Sequence, residues 1–205
     1  MEYIEEDLVE KKLNLRIPLS SRAFKMALEP EFWNHYTERF KGYDTILDAC
    51  AGAGFLSAAL AKKYKVVAVE IDPVRLSEAK RIAQIRNVNV TFISGNILDD
   101  EILKSISKID AAFLDPDWKR DHSVKPAAFN FHKMEPPLLE LFTKIQAKTE
   151  NIALRLPKET NWSEFDRFIS IPYELEESYL SGKLVFYTVY FGKLIKIIGR
   201  TQFEA

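Results

Sequence analysis

Thr45-Ile46-Leu47-Asp48-Ala49-Cys50-Ala51-Gly52-Ala53-Gly54 is the stretch on which the fold turns. An apolar run of β-formers, residues 45–50, meets an acid, and two glycines follow before a helical pattern that runs to about residue 63. Glycines in such a turn allow a ligand close to the backbone, and the helix start behind them presents unpaired N–H groups. Working outward, the alternation continues. Residues 65–70 predict a second strand and 73–86 a helix opened by Pro73. Residues 88–93 predict a third strand, 99–105 a short helix and 109–114 a fourth strand. Pro136-Pro137 opens a helix to about residue 148, residues 151–156 form a fifth strand and 161–170 a helix. Residues 173–180 and 183–198 then read as two strands joined at Ser181-Gly182, a good turn pair. The pattern predicts a three-layer αβα fold with a seven-stranded, mostly parallel sheet that ends in an antiparallel hairpin.

Ahead of this domain of residues 41–205, residues 1–40 read as a helical arm. Ile4, Leu8 and Val9 fall at helical spacing in residues 3–12, and Pro18 closes that segment. Ser20 and Ser21 are suited to cap a helix starting near Arg22, and Pro30 to open one that reaches Phe40. Trp33 and Tyr36, on that last helix, are expected to pack into the core.

Composition narrows the function classes. The 29 Lys plus Arg nearly balance the 30 Asp plus Glu, so any nucleic-acid binding must come from a local patch rather than from global charge. Apolar runs are far short of a membrane span and no signal-peptide succession opens the chain, so no membrane association is expected. The lone Cys50 cannot form an internal disulfide, which fits a reducing cytoplasm. Three His and one Cys at irregular spacing offer no metal-ligand pattern, and a monomer is expected.

The first glycine turn has the makings of a nucleoside site. Asp48, Ala49, Gly52 and Gly54 line it. Glu70, ending the second strand, is placed to take both ribose hydroxyls, as the acid of a dinucleotide fold does. Ile71 offers an apolar face to a purine. Asn96, in the turn Ser94-Gly95-Asn96, has a donor and an acceptor for an adenine edge, and Gly95 gives that turn its freedom. A nicotinamide dinucleotide fits less well, because Ser57 stands where a third glycine belongs and Asp48 is a poor neighbour for a pyrophosphate. A carboxylate there suits a ligand with a positive end, and S-adenosylmethionine carries an ammonium and a sulfonium.

A second stretch, Asp115-Pro116-Asp117-Trp118, follows the fourth strand. It offers a carboxylate, a proline carbonyl and a flat aromatic face within four residues. The exocyclic amine of a base needs two acceptors and a stacking surface, which this set supplies. Asp115, Pro116 and Trp118 are the candidates for catalysis, Asp115 also borders the cofactor, and Asp117 is either a solvated acid or a further contact to the base. The plain structural alternatives are a turn cap for Asp115 and a core-capping Trp118. Lys119, Arg120, Lys125, His132 and Lys133 make a local positive segment that could hold phosphates, and Lys158 is a further candidate just past the fifth strand.

With these residues in view, the chain resembles a class I, Rossmann-like S-adenosylmethionine-dependent methyltransferase, and more narrowly the trimethylguanosine synthase family of RNA cap guanine-N2 methyltransferases. Residues 48–54 are similar to that family's first motif, and Val69-Glu70-Ile71-Asp72-Pro73 to its acidic strand end. Asp115 to Trp118 stands where the family has Ser-Pro-Pro-Trp, and residues 131–134, 151–157 and 174–192 resemble it too, with Ser181-Gly182-Lys183-Leu184 and Tyr190-Phe191-Gly192 the more telling parts. The resemblance implies methyl transfer to guanine N2, in RNA or in a capped or guanine nucleotide. Adenine N6, a protein side-chain amide, and a cofactor-binding scaffold without catalysis are the other readings.

Overall fold

The computed structural model describes residues 3–118 and 131–205, with the backbone alone at residue 132. These residues form two compact units, Met1–Asn96 and Ile97–Ala205.

The first unit opens with β1 (Tyr3–Ile4), α1 (Glu6–Leu13), β2 (Leu19–Ser20), α2 (Ser21–Met26) and α3 (Pro30–Arg39), and β1 pairs antiparallel with β2. The opening helix thus begins at Glu6 rather than at residue 3, because Tyr3 and Ile4 are drawn into that pairing. The Ser20 hydroxyl caps α2 by accepting from the Ala23 N–H at 3.2 Å, and Pro30 sits in the first turn of α3. Trp33 and Tyr36 are buried, and Trp33 stacks on Phe55 with centroids 5.5 Å apart and planes 3° from parallel, so both are core residues. Then come β3 (Thr45–Asp48), α4 (Phe55–Leu60), β4 (Lys65–Glu70), α5 (Pro73–Ile85) and β5 (Thr91–Ser94), with β3, β4 and β5 parallel in that order. Ile46, Leu47, Ala68 and Val69 are buried, as expected of a parallel sheet covered by helices. Asp72 ends the turn into α5 by accepting from the Val74 N–H at 2.8 Å.

The second unit contains α6 (Asp100–Ser105), β6 (Ala111–Leu114), α7 (Leu138–Gln146), β7 (Ile152–Pro157), α8 (Trp162–Phe168), β8 (Glu174–Leu180), β9 (Lys183–Tyr190) and β10 (Gly199–Glu204). Its strand order is β6-β7-β9-β8-β10, with β6 and β7 parallel, β9 antiparallel to both neighbours, and β10 parallel to β8. Ser181 (φ 51°) and Gly182 (φ 73°) are both left-handed, the backbone that a two-residue hairpin turn demands.

Among the described residues, three strands of the α/β pattern in the first unit and five in the second make eight, where the sequence predicts seven. Residues 183–198 do not form one strand. At Gly192 the chain turns with φ +64°, and a Cβ there would lie 2.5 Å from the Glu150 carbonyl oxygen, so only glycine fits. The buried Glu174 carboxylate then accepts from the Lys196 N–H at 2.7 Å and, beyond the turn, from the Thr201 hydroxyl at 2.9 Å, which brings β10 alongside β8. Ile197 and Ile198, read from sequence as strand, are exposed instead. Among the described residues, no helix is long and apolar enough to cross a membrane.

Candidate active site

In the first unit the acid at the end of β4 organises the turn after β3. Glu70 is buried, its Oε2 accepts from the Gly52 N–H at 2.7 Å and its Oε1 from the Asp72 N–H at 2.8 Å. The carboxylate thereby joins the glycine turn to the start of α5 and keeps lone pairs for a further donor. Asp48 is buried as well, and its Oδ2 accepts from the Ser57 hydroxyl at 2.5 Å. Ser57, which displaces the third glycine of a dinucleotide motif, therefore serves as the partner of Asp48. Ala49 is buried beside it.

The two glycines of the turn differ. Gly54 (φ +75°) lies under α5, where an added Cβ would meet Ala79 Cβ at 2.6 Å, so its task is helix packing. Gly52 (φ +55°) faces open space, with nothing within 4 Å of an added Cβ. Bare backbone is thus open at the residue whose N–H the Glu70 carboxylate holds. Ile71 is 65% exposed, with its apolar side chain open to solvent. The Gly95 N–H donates to the Glu70 carbonyl at 3.1 Å, which brings the half-buried Asn96 next to the end of β4. An open glycine turn, a ribose-seeking acid and an exposed apolar side chain fit S-adenosylmethionine, and Gly52, Glu70, Ile71 and Asn96 are the residues that could hold it.

In the second unit Asp115 to Trp118 leaves the end of β6. The segment is pinned by a two-way backbone pairing, the Asp117 N–H donating to the Glu135 carbonyl at 2.8 Å and the Glu135 N–H to the Asp117 carbonyl at 3.0 Å. Pro116 is buried, and Asp115, Asp117 and Trp118 are half-buried. Asp115 Oδ1 accepts from Arg155 Nε at 2.9 Å, and the Arg155 guanidinium carbon also lies 4.8 Å from the centre of the Trp118 ring. Burial pushes the Asp115 carboxyl above its ordinary range, the Arg155 charge draws it back down, and Asp117 adds to the rise. Lys158 is exposed one residue past β7. Lys119, Arg120 and Lys125, along with the His132 side chain, lie outside the described residues.

Arg155 is the residue that sequence reasoning missed. Its signal was a charge inside the apolar strand Ile152-Ala153-Leu154-Arg155-Leu156-Pro157, in a strand that parallels β6.

The chain superposes on a protein from Porphyromonas gingivalis W83 proposed to be a methyltransferase, with TM-score 0.74 and 16% identity over 94% of this chain and 49% of that one. It also superposes on the METTL16 methyltransferase domain, with TM-score 0.63 and 14% identity over 91% of this chain and 92% of that one. The fold is that of the Rossmann-like methyltransferases, α/β with a mostly parallel sheet and antiparallel strands toward the C-terminus. The sequence model of the RNA cap guanine-N2 methyltransferases matches residues 43–193, and the chain belongs to that family. Its cofactor is S-adenosylmethionine. Among curated relatives, trimethylguanosine synthase of Schizosaccharomyces pombe is 27% identical over 136 residues, 62% of this chain and 56% of that protein. The 23S rRNA (uracil(747)-C(5))-methyltransferase of Pyrococcus horikoshii is 39% identical over 66 residues, 32% of this chain and 16% of that protein. The chain thus spans little more than half the length of the first relative and a small part of the second.

Proposed function

We propose that this chain methylates the exocyclic N2 amine of a guanine in RNA. The observation that carries the reading is the Asp115 carboxylate, held by Arg155 Nε at 2.9 Å on a loop that also presents Trp118. That is a strong acceptor beside an aromatic surface, the pair of features a base amine requires. S-adenosylmethionine supplies the electrophilic methyl. Gly52, Glu70, Ile71 and Asn96 would hold that cofactor, the Glu70 carboxylate as an acceptor for ribose hydroxyls and the exposed Ile71 as an apolar face for adenine.

An exocyclic amine is a weak nucleophile because its lone pair is delocalised into the ring. Asp115 and the Pro116 carbonyl accept its two N–H bonds, which favours a tetrahedral nitrogen with the lone pair free. Stacking on Trp118 holds the base, a contact worth about 1–3 kcal/mol. The methyl group would come from the bound cofactor, and the surplus proton leaves the amine nitrogen for Asp115 or water. The rate comes mainly from positioning. Lys158, with Lys119 and Arg120, is assigned to phosphates of the RNA. The family match and the likeness to trimethylguanosine synthase favour guanine N2. A second reading is adenine N6, another base amine that the same acceptors could serve, since Asp115 stands in place of the serine of trimethylguanosine synthases as in many base amino-methyltransferases.

Transfer of tritiated methyl from S-adenosylmethionine to total RNA, followed by nucleoside analysis, tests the proposal. Label in N2-methylguanosine that disappears in Asp115→Ala supports it. Label in N6-methyladenosine replaces it with the second reading. A chain that binds the cofactor and labels no RNA defeats both.

A further inference from the structure

Arg155 stands at the meeting point of two strands and a loop. β6 and β7 run parallel with Leu114 beside Leu154, so the residues that follow, Asp115 and Arg155, are neighbours as the strands end. Across β9, Arg155 pairs with Thr188, and Phe186 lies two residues along on the same face. The side chain is used from several directions. Nε donates to Asp115 Oδ1 at 2.9 Å, and the guanidinium carbon lies 4.8 Å from the Trp118 ring centre and 5.1 Å from that of Phe186. Its side chain is only 11% exposed, and Nη1 is buried with no hydrogen-bond partner among the described residues. Burying a cation with a donor unused costs stability that an apolar residue at this point would not. Such an arrangement is better explained by the groups it holds than by the fold.

We propose that Arg155 is a positioning residue for methyl transfer: its planar guanidinium fixes the Asp115 carboxylate and the Trp118 ring in one arrangement for the incoming amine. The inference rests on the reading that residues 115–118 receive the substrate. Guanidinium suits both tasks, since it donates in a plane to a carboxylate and lays its flat face on an aromatic ring, whereas an ammonium is a compact point charge without that planar geometry. The charged groups that act on Asp115 among the described residues are Arg155, from β7, and Asp117, from its own loop.

The test compares the full chain with Arg155→Met and Arg155→Lys, after thermal melts confirm folding. The Asp115 carboxyl is titrated by carbon NMR, S-adenosylhomocysteine binding is measured by calorimetry, and methyl transfer is followed with the RNA labelled in the assay above. Arg155→Met is expected to move the Asp115 midpoint upward, leave S-adenosylhomocysteine affinity unchanged, and lower kcat roughly tenfold to a hundredfold. Arg155→Lys is expected to restore the midpoint but only part of kcat, because the stacking on Trp118 is lost. If Arg155→Met does not fold, Arg155→Lys decides, with an unaltered kcat counting against the proposal. An Asp115 midpoint that does not move in Arg155→Met overturns it. A midpoint that moves, in a chain whose wild type labels no RNA, keeps the contact with Asp115 and overturns the acceptor reading instead.

Discussion

Asp115 is subject to opposed effects. Burial raises its carboxyl and Arg155 lowers it, with burial the larger. Its ionised form is the stronger acceptor and the one that can take the surplus proton, so methyl transfer is expected to rise with pH along a limb centred above the ordinary aspartate value of about 3.9. A pH profile of kcat/KM checks this, and a profile flat from about pH 4 to 8 speaks against it. Stability runs the other way. A carboxyl whose folded pKa is raised contributes most below its unfolded value, and that contribution is lost as pH rises through the folded one. Urea melts of Asp115→Asn should therefore show a weaker pH dependence across that window. The turn glycines make a matched pair of tests. Gly54→Ala is expected to cost about 1–3 kcal/mol of stability through its clash with Ala79, on top of about 1–2 kcal/mol for holding an alanine in the left-handed region. Gly52→Ala carries only the smaller strain of a left-handed alanine, about 1–2 kcal/mol, but places a methyl in the gap beside Glu70 and should weaken cofactor binding in calorimetry. In the sequence the two glycines look alike. What separates them is the neighbour each meets in space, which spacing does not report.

Among the elements, those whose ends carry local signals were legible: β4 matches residues 65–70, and α3 and α5 begin at Pro30 and Pro73 as read. Asp115 and Trp118 could be singled out for the same reason, as a motif contiguous in the chain. Arg155 was not, because its partner lies 40 residues away and meets it only through strand register. β10 was hidden by Ile195-Lys196-Ile197-Ile198, whose β-formers read as a continuing strand although Gly192 and Glu174 redirect the chain. Glu174→Gln should loosen that edge while leaving β6 and β7 in place. Hydrogen exchange is expected to speed up across residues 196–204, and protection there equal to wild type would deny Glu174 this role.

For the whole molecule, family membership rests on residues 43–193, which include both the Glu70 turn and the Asp115 loop. Charge is nearly balanced, 29 basic against 30 acidic residues, so any attraction for nucleic acid must come from a local patch rather than from global charge. The central claim is recognition of a guanine amine. It is tested most directly by offering the chain one transcript made twice, with guanosine and with inosine, whose base differs only in lacking the N2 amine. The expected result is methyl transfer to the guanosine transcript and none to the inosine transcript. Equal transfer to both would place the methyl elsewhere on the RNA and contradict the account.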